Sequence, residues 1–292
     1  MKQFFLFIIS LSLVLSSLLS FASCNKQSVS TDADTVYTEE TVPSTEEKTE
    51  ETTEEETTEE ETTASEETTG VVVDANGKYP ILSNLTMTSI GDSYIAGDGK
   101  WPSMLALKYG MRFYNYGING STVSNYITDR NPMVNRYGTM LKVDANIVII
   151  EGGRNDFNAH TPIGAVDSRD SRTFSGALNI MVDAMKEKYP NAMIVLITPW
   201  NFPDKSTHTL TYLDYVNSML AVAEYQGERV YCINASDTSL TGVNMRNPDF
   251  RKTFCINESD VSHLNDFGMK LVMPRFEKIL AEYYTDFLNK QK

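Results

Sequence analysis

The chain has 292 residues, of which 22% are charged, and a formal net charge of −14. Nearly all of that charge is local: residues 31–70 hold 16 acidic side chains and one basic one, whereas residues 71–292 hold 23 acidic and 22 basic. The body is therefore close to neutral and presents no broad basic field for a phosphate backbone, which argues against nucleic acid as a partner.

At the N-terminus Lys2 precedes an uncharged, mostly apolar run from Phe4 to Phe21, followed by Ala22-Ser23-Cys24. A basic start, an apolar centre and small residues before a cut site make a secretory signal. Residues 1–23 resemble a bacterial lipoprotein signal, which implies cleavage before Cys24 and attachment of lipid to its thiol. The alternative is an uncleaved anchor, since about 18–20 apolar residues can just span a bilayer. Either reading puts the body outside the cytoplasm, tethered to a cell membrane or surface. Residues 24–78 are expected to be a disordered linker. Its Thr-Thr-Glu-Glu-Glu repeats hold too few apolar side chains to offset the entropy of ordering, and its like charges extend it into a spacer.

Residues 79–292 fit one domain of about 100–250 residues. Short apolar runs there alternate with amphipathic stretches, as a parallel sheet with crossover helices requires. The predicted strands are Leu85–Ile90, Arg112–Tyr116, Asn146–Ile150, Met193–Thr198 and Arg229–Ile233. The predicted helices are Trp101–Tyr109, Val134–Leu141, Phe174–Lys188, Leu210–Gln226 and, last, Asp266–Leu288. Together they read as a single three-layer α/β/α domain with a five-stranded parallel sheet, whose ligand site belongs at the carboxyl ends of the strands.

Those ends carry the chemistry. The first strand runs into Gly91-Asp92-Ser93, where a serine can aim its hydroxyl into the crevice. The second ends in Gly117-Ile-Asn-Gly120-Ser-Thr122, where glycine lets backbone approach a ligand and donate an amide to an oxyanion. The third ends in Gly153-Arg-Asn155-Asp156, where an amide side chain can stabilise developing negative charge. Before the last helix stands Asp260-Val-Ser-His263, in which the carboxylate can reach Nδ1 and leave Nε2 to accept a proton. Each motif alone is also ordinary turn chemistry. Of the three histidines, His160 and His208 lie in polar loops, where a solvated side chain is expected. Cys232 and Cys255 can form a disulfide or remain buried thiols. No CxxC or Cys/His cluster points to a metal.

The four motifs in this order resemble the blocks of the SGNH (GDSL) hydrolase family, over about Thr86 to Leu288. The resemblance implies the SGNH/flavodoxin-like hydrolase fold, with Ser93 as nucleophile, His263 as base and then acid, and Asp260 as its orienting partner. It implies an oxyanion hole made from the Ser93 amide, the Gly120 amide and the Asn155 side chain. Gly120 is preferred to Gly117 because the family pattern places its donor in the Gly-x-Thr context. Serine needs such help, being a weak nucleophile at its free pKa. No metal or organic cofactor is required.

The expected activity is hydrolysis of small acyl esters, acetyl above all, with an acetylated carbohydrate as substrate. No long apolar lid for a fatty chain is evident, and Tyr94, Trp101, Tyr116, Trp200 and Phe202 lie near strand ends, as sugar-stacking or as core residues. The alternatives are a lysophospholipase or thioesterase, an acyltransferase on the same triad, and a surface binding module without turnover. The oligomeric state is not readable from the sequence.

Overall fold

A computed structural model describes residues 70–203 and 209–292. The signal, Cys24, the acidic repeats and His208 lie outside the described residues. Five strands, β1 (Thr86–Gly91), β2 (Arg112–Gly117), β3 (Ile147–Glu151), β4 (Met193–Ile197) and β5 (Val230–Ile233), form one parallel sheet in the order β2-β1-β3-β4-β5. The central strands β3 and β4 are apolar runs, broken only by Glu151 at the end of β3, because both of their faces are covered, and every residue of each is buried. β2 and β5 are the edges and are less buried.

The helices form the outer layers, with α1 (Trp101–Tyr109) against α8 (Asp266–Lys290), and α4 (Phe174–Lys188) against α5 (Tyr212–Gln226). The chain crosses from β1 through α1 to β2, then returns past β1 to β3 and proceeds outward through α4 and α5. The direction of winding thus reverses between β1 and β3, and a crevice opens at their carboxyl ends. Register places Gly91 level with Gly117 on one side and Glu151 on the other, and Glu151 level with Ile197. The residues that follow these ends are thereby brought together.

One predicted helix is different. In place of Val134–Leu141 there is a single turn, α2 (Met133–Arg136), followed by a 3₁₀ segment, Tyr137–Lys142. The Thr139 hydroxyl donates to the Arg136 carbonyl and the Tyr189 hydroxyl to that of Met140, so side chains take carbonyls that a continuing α-helix would use. Three short helices appear that periodicity did not mark: α3 (Arg154–Asn158), α6 (Thr238–Thr241) and α7 (Pro248–Phe254). Two have legible caps, since Asp237 accepts from the Ser239 amide and Asn247 from that of Asp249. Cys232 and Cys255 are both free thiols, which removes the disulfide alternative. Among the described residues no helix is long and apolar enough to cross a membrane.

Candidate active site

The site begins with the turn after β1. Gly91 packs so tightly that a Cβ there would lie 2.4 Å from Ile95 Cγ1 and 2.9 Å from the Glu151 carbonyl. The Asp92 carbonyl accepts from the amides of Ile95 and Ala96, which curls the chain and lifts Ser93 to the rim. Ser93 lines an open crevice of about 500 Å³ together with Gly120, Asn155 and His263, and with Lys100, Asn119 and Ile256. Ser93 Oγ lies 3.0 Å from His263 Nε2. On the far side of the imidazole, His263 Nδ1 is 3.1 Å from Asp260 Oδ2.

The Asp260–His263 turn is held from several directions. Asp260 Oδ1 accepts from the amides of Ser262 and His263, at 2.8 and 2.9 Å. Burial pushes its pKa up, but these amides and the imidazole outweigh burial and hold the carboxyl below its ordinary value. The Ile256 amide donates to the His263 carbonyl, and Asn265 caps α8 while donating to the carbonyls of Thr253 and Cys255. Two residues from the other motifs reach across. The Tyr94 hydroxyl donates to the Ser262 carbonyl, and Arg154 donates from Nε and Nη2 to Ser262 Oγ while lying 3.9 Å over the Phe202 ring.

The oxyanion side is assembled from two glycine loops. Gly117 cannot carry a side chain, because its Cβ would fall 2.5 Å from the Ala96 nitrogen. Its role is close packing, which leaves Gly120 as the donor candidate. Gly120 sits at φ +75° with open space where a Cβ would be, and its amide makes no hydrogen bond among the described residues. Arg136 braces this loop, donating to the carbonyls of Gly91, Tyr116 and Asn131 and, at 2.9 Å, to Ser121 Oγ. Its burial lowers its pKa to about 10. Asp156, fully buried, accepts from the amides of Val123 and Ser124 and so fixes the same loop from beneath. Asn155 Nδ2 donates to Asp92 Oδ2 at 3.1 Å and to the Ser121 carbonyl at 3.0 Å. Serving an oxyanion therefore means sharing one of those protons.

Four of the five residues named for this site line one crevice, Ser93, Gly120, Asn155 and His263, and the fifth, Asp260, stands behind His263 on its other ring nitrogen. His160 is exposed and takes no place in it. Of the five aromatic residues read as sugar-stacking or core, Tyr116 is half-buried and four follow the core alternative. Tyr94, Trp101, Trp200 and Phe202 are buried, with Tyr94 stacked on Trp200 and Trp200 on Phe276, so they are core under the site.

Sequence reasoning missed Glu151, which ends β3 and is 1% exposed. It accepts from the indole N–H of Trp200 at 2.8 Å and of Trp101 at 3.3 Å. Burial, with Asp92 adding to it, raises its pKa to about 8. Burial likewise raises Asp92 to about 7 and Asp156 to about 6. The available signal was an acid closing an otherwise apolar central strand, since a buried carboxyl needs partners or a proton. Among the described residues no group of three or more His, Cys, Asp or Glu side chains could hold a metal ion.

An imidazole between a serine hydroxyl and a carboxylate can take the hydroxyl proton as the oxygen attacks a carbonyl. The comparisons with known proteins agree with that chemistry. No curated protein matches the chain. Among solved structures, a Lactobacillus plantarum protein superimposes with a TM-score of 0.59 at 20% identity, covering 68% of this chain and 97% of its own. A Chitinophaga pinensis protein described as a possible lipase gives 0.53 at 18% identity, covering 68% and 98%. These likenesses establish the α/β fold. The model of the GDSL-like lipase/acylhydrolase family matches residues 89–271, from β1 into α8. More than half of the chain is matched, and the protein belongs to the GDSL-like lipase/acylhydrolase family as an ester-hydrolysing enzyme.

Proposed function

We propose that the chain is an extracytoplasmic serine esterase, tethered through lipid on Cys24, that removes small acyl groups, acetyl above all, from carbohydrate. The observation that carries the catalytic part is the 3.0 Å approach of Ser93 Oγ to His263 Nε2, with Asp260 on the opposite ring nitrogen. His263 takes the proton from Ser93 as its oxygen attacks the ester carbonyl. The amides of Ser93 and Gly120 and the Asn155 carboxamide receive the charge that develops on the carbonyl oxygen. Collapse expels the alcohol, which leaves with the proton from His263. Water, deprotonated in turn by His263, then releases the acid from the Ser93 acyl-enzyme.

The small-acyl reading is supported by the crevice lining, in which Ile256 is the one aliphatic side chain among the described residues. Each methylene of a fatty chain gains about 0.8 kcal/mol only where it is buried, and one isoleucine covers little. Asn119 and Lys100 supply polar partners suited to a hydroxylated alcohol. The test is a kcat/KM series on p-nitrophenyl acetate, butyrate and octanoate with the full chain in neutral detergent, followed by acetate release from acetylated polysaccharide. Acetate as the preferred acyl group is expected. A strong preference for octanoate would replace this reading with a lysophospholipase. Substitution of Cys24→Ser is expected to move the protein from the membrane to the soluble fraction, and an unchanged membrane fraction would contradict the lipid tether.

A further inference from the structure

The crevice contains a cation that the reaction above does not use. Lys100, the residue just before α1, lines it with Ser93, Asn119, Gly120, Asn155, Ile256 and His263. Its ammonium makes no salt bridge or hydrogen bond among the described residues. Among the described residues no carboxylate shares this lining. Asp260 is engaged by His263 and by two backbone amides. Asp98, on the same loop, is exposed and outside the lining; Glu151, whose ionisation the Lys100 charge favours, is buried, and burial still raises its carboxyl pKa to about 8, so that it is mostly protonated near neutral pH. A positive charge within an active-site crevice that forms no ion pair among the described residues draws and orients an anionic ligand, since concave walls focus its field.

We propose that Lys100 selects esters whose alcohol portion carries an anionic group, such as a carboxylate, near the scissile bond. The proposal rests on the small-acyl reading: an acetyl group has no place for a charge, so the anion must belong to the alcohol. On that reading the substrate class narrows from acylated carbohydrate to acylated acidic carbohydrate. An exposed ion pair contributes modestly to binding, so the effect belongs in kcat/KM and is sensitive to salt.

The experiment compares 4-acetoxybenzoate with its methyl ester, two aryl acetates that differ in one negative charge. The kcat/KM ratio, anion over neutral, is measured for the full chain and for Lys100→Gln and Lys100→Glu, and is normalised to alkaline hydrolysis of the same esters. The wild-type ratio is expected to fall about threefold in Lys100→Gln and about tenfold or more in Lys100→Glu at low ionic strength. A parallel measurement needs no variant: raising salt from about 20 mM to about 500 mM should erode the wild-type preference as screening shortens the reach of the charge. Equal ratios in all three proteins, or a wild-type ratio indifferent to salt, would overturn the proposal. Failure of the esterase reading has a different signature, with neither ester cleaved in a Ser93-dependent way, and the role of Lys100 then falls with it.

Discussion

At Asn155 a single carboxamide has two protons and three acceptors to serve: the Asp92 carboxyl, the Ser121 carbonyl and the oxygen of a tetrahedral intermediate. The first two hold the group still before reaction, and a donor fixed in advance costs no reorganisation when charge develops. Replacing Asn155→Ala should lower kcat about 10²–10³-fold with little change in KM, the signature of a contact strengthened in the transition state. Steady-state kinetics on p-nitrophenyl acetate would show it, and a rise in KM at constant kcat would mean that Asn155 binds ground state only. Asp260 works through His263, so Asp260→Asn should leave the fold intact and cost roughly 10⁴-fold in kcat near neutral pH through the wrong tautomer. A loss under about tenfold would remove Asp260 from the orienting role.

At the scale of elements, two glycines in one loop do different work. Gly117→Ala drives a methyl into the Ala96 backbone, 2.5 Å from its nitrogen. Such overpacking is expected to cost about 1–3 kcal/mol or more of stability, read from urea unfolding. Gly120→Ala meets no atom, only an unfavourable φ of +75°, and should cost about 1–2 kcal/mol of stability. Ser93, Gly120 and Asn155 were legible from motifs at strand ends, which a parallel sheet delivers to one edge, and Asp260 and His263 from the motif before the last helix, with their roles implied by the resemblance to the SGNH (GDSL) family. β3 and β4 were legible from the apolar runs Ile147–Ile150 and Met193–Ile197, and α4 from its apolar face over fifteen residues. What sequence could not supply were long-range side-chain partners. Arg136 reads as one basic residue on a short helix, yet it bonds to carbonyls from two strand ends and to the Ser121 hydroxyl. Arg154 likewise spans from α3 to Ser262. The aromatic residues near strand ends were ambiguous since proximity to a crevice and burial beneath it look alike in one dimension.

At the scale of the whole molecule, three buried carboxyls lie in and next to the strand-end turns, with pKa values raised by burial: Asp156 to about 6, Asp92 to about 7 and Glu151 to about 8. Between the ordinary carboxyl pKa of about 4 and these values the unfolded chain has lost protons that the folded chain keeps. Stability is then fullest below about pH 4 as far as these groups are concerned, falls as pH rises through that window, and levels off above about pH 8. Asp260 acts in the opposite sense, since its lowered pKa stabilises the fold above the unfolded value and that contribution is lost on acidification. Glu151→Gln removes one titrating group while keeping an acceptor for an indole. The Tm of Glu151→Gln relative to wild type should therefore rise between pH 5 and pH 8, by the equivalent of about 1 kcal/mol per pH unit across the window. A Tm difference that is constant with pH would show that Glu151 does not titrate there.

The central claim is that His263 makes Ser93 a nucleophile, and covalent labelling tests it most directly. The full chain is treated with a fluorophosphonate and the modified residue is identified by peptide mass spectrometry, beside His263→Ala and heat-unfolded protein. A stoichiometric adduct on Ser93 in the folded protein, lost on unfolding and slowed by several orders of magnitude in His263→Ala, is the predicted result. A folded wild-type protein that forms no adduct on Ser93, or one labelled equally fast without His263, would contradict the account.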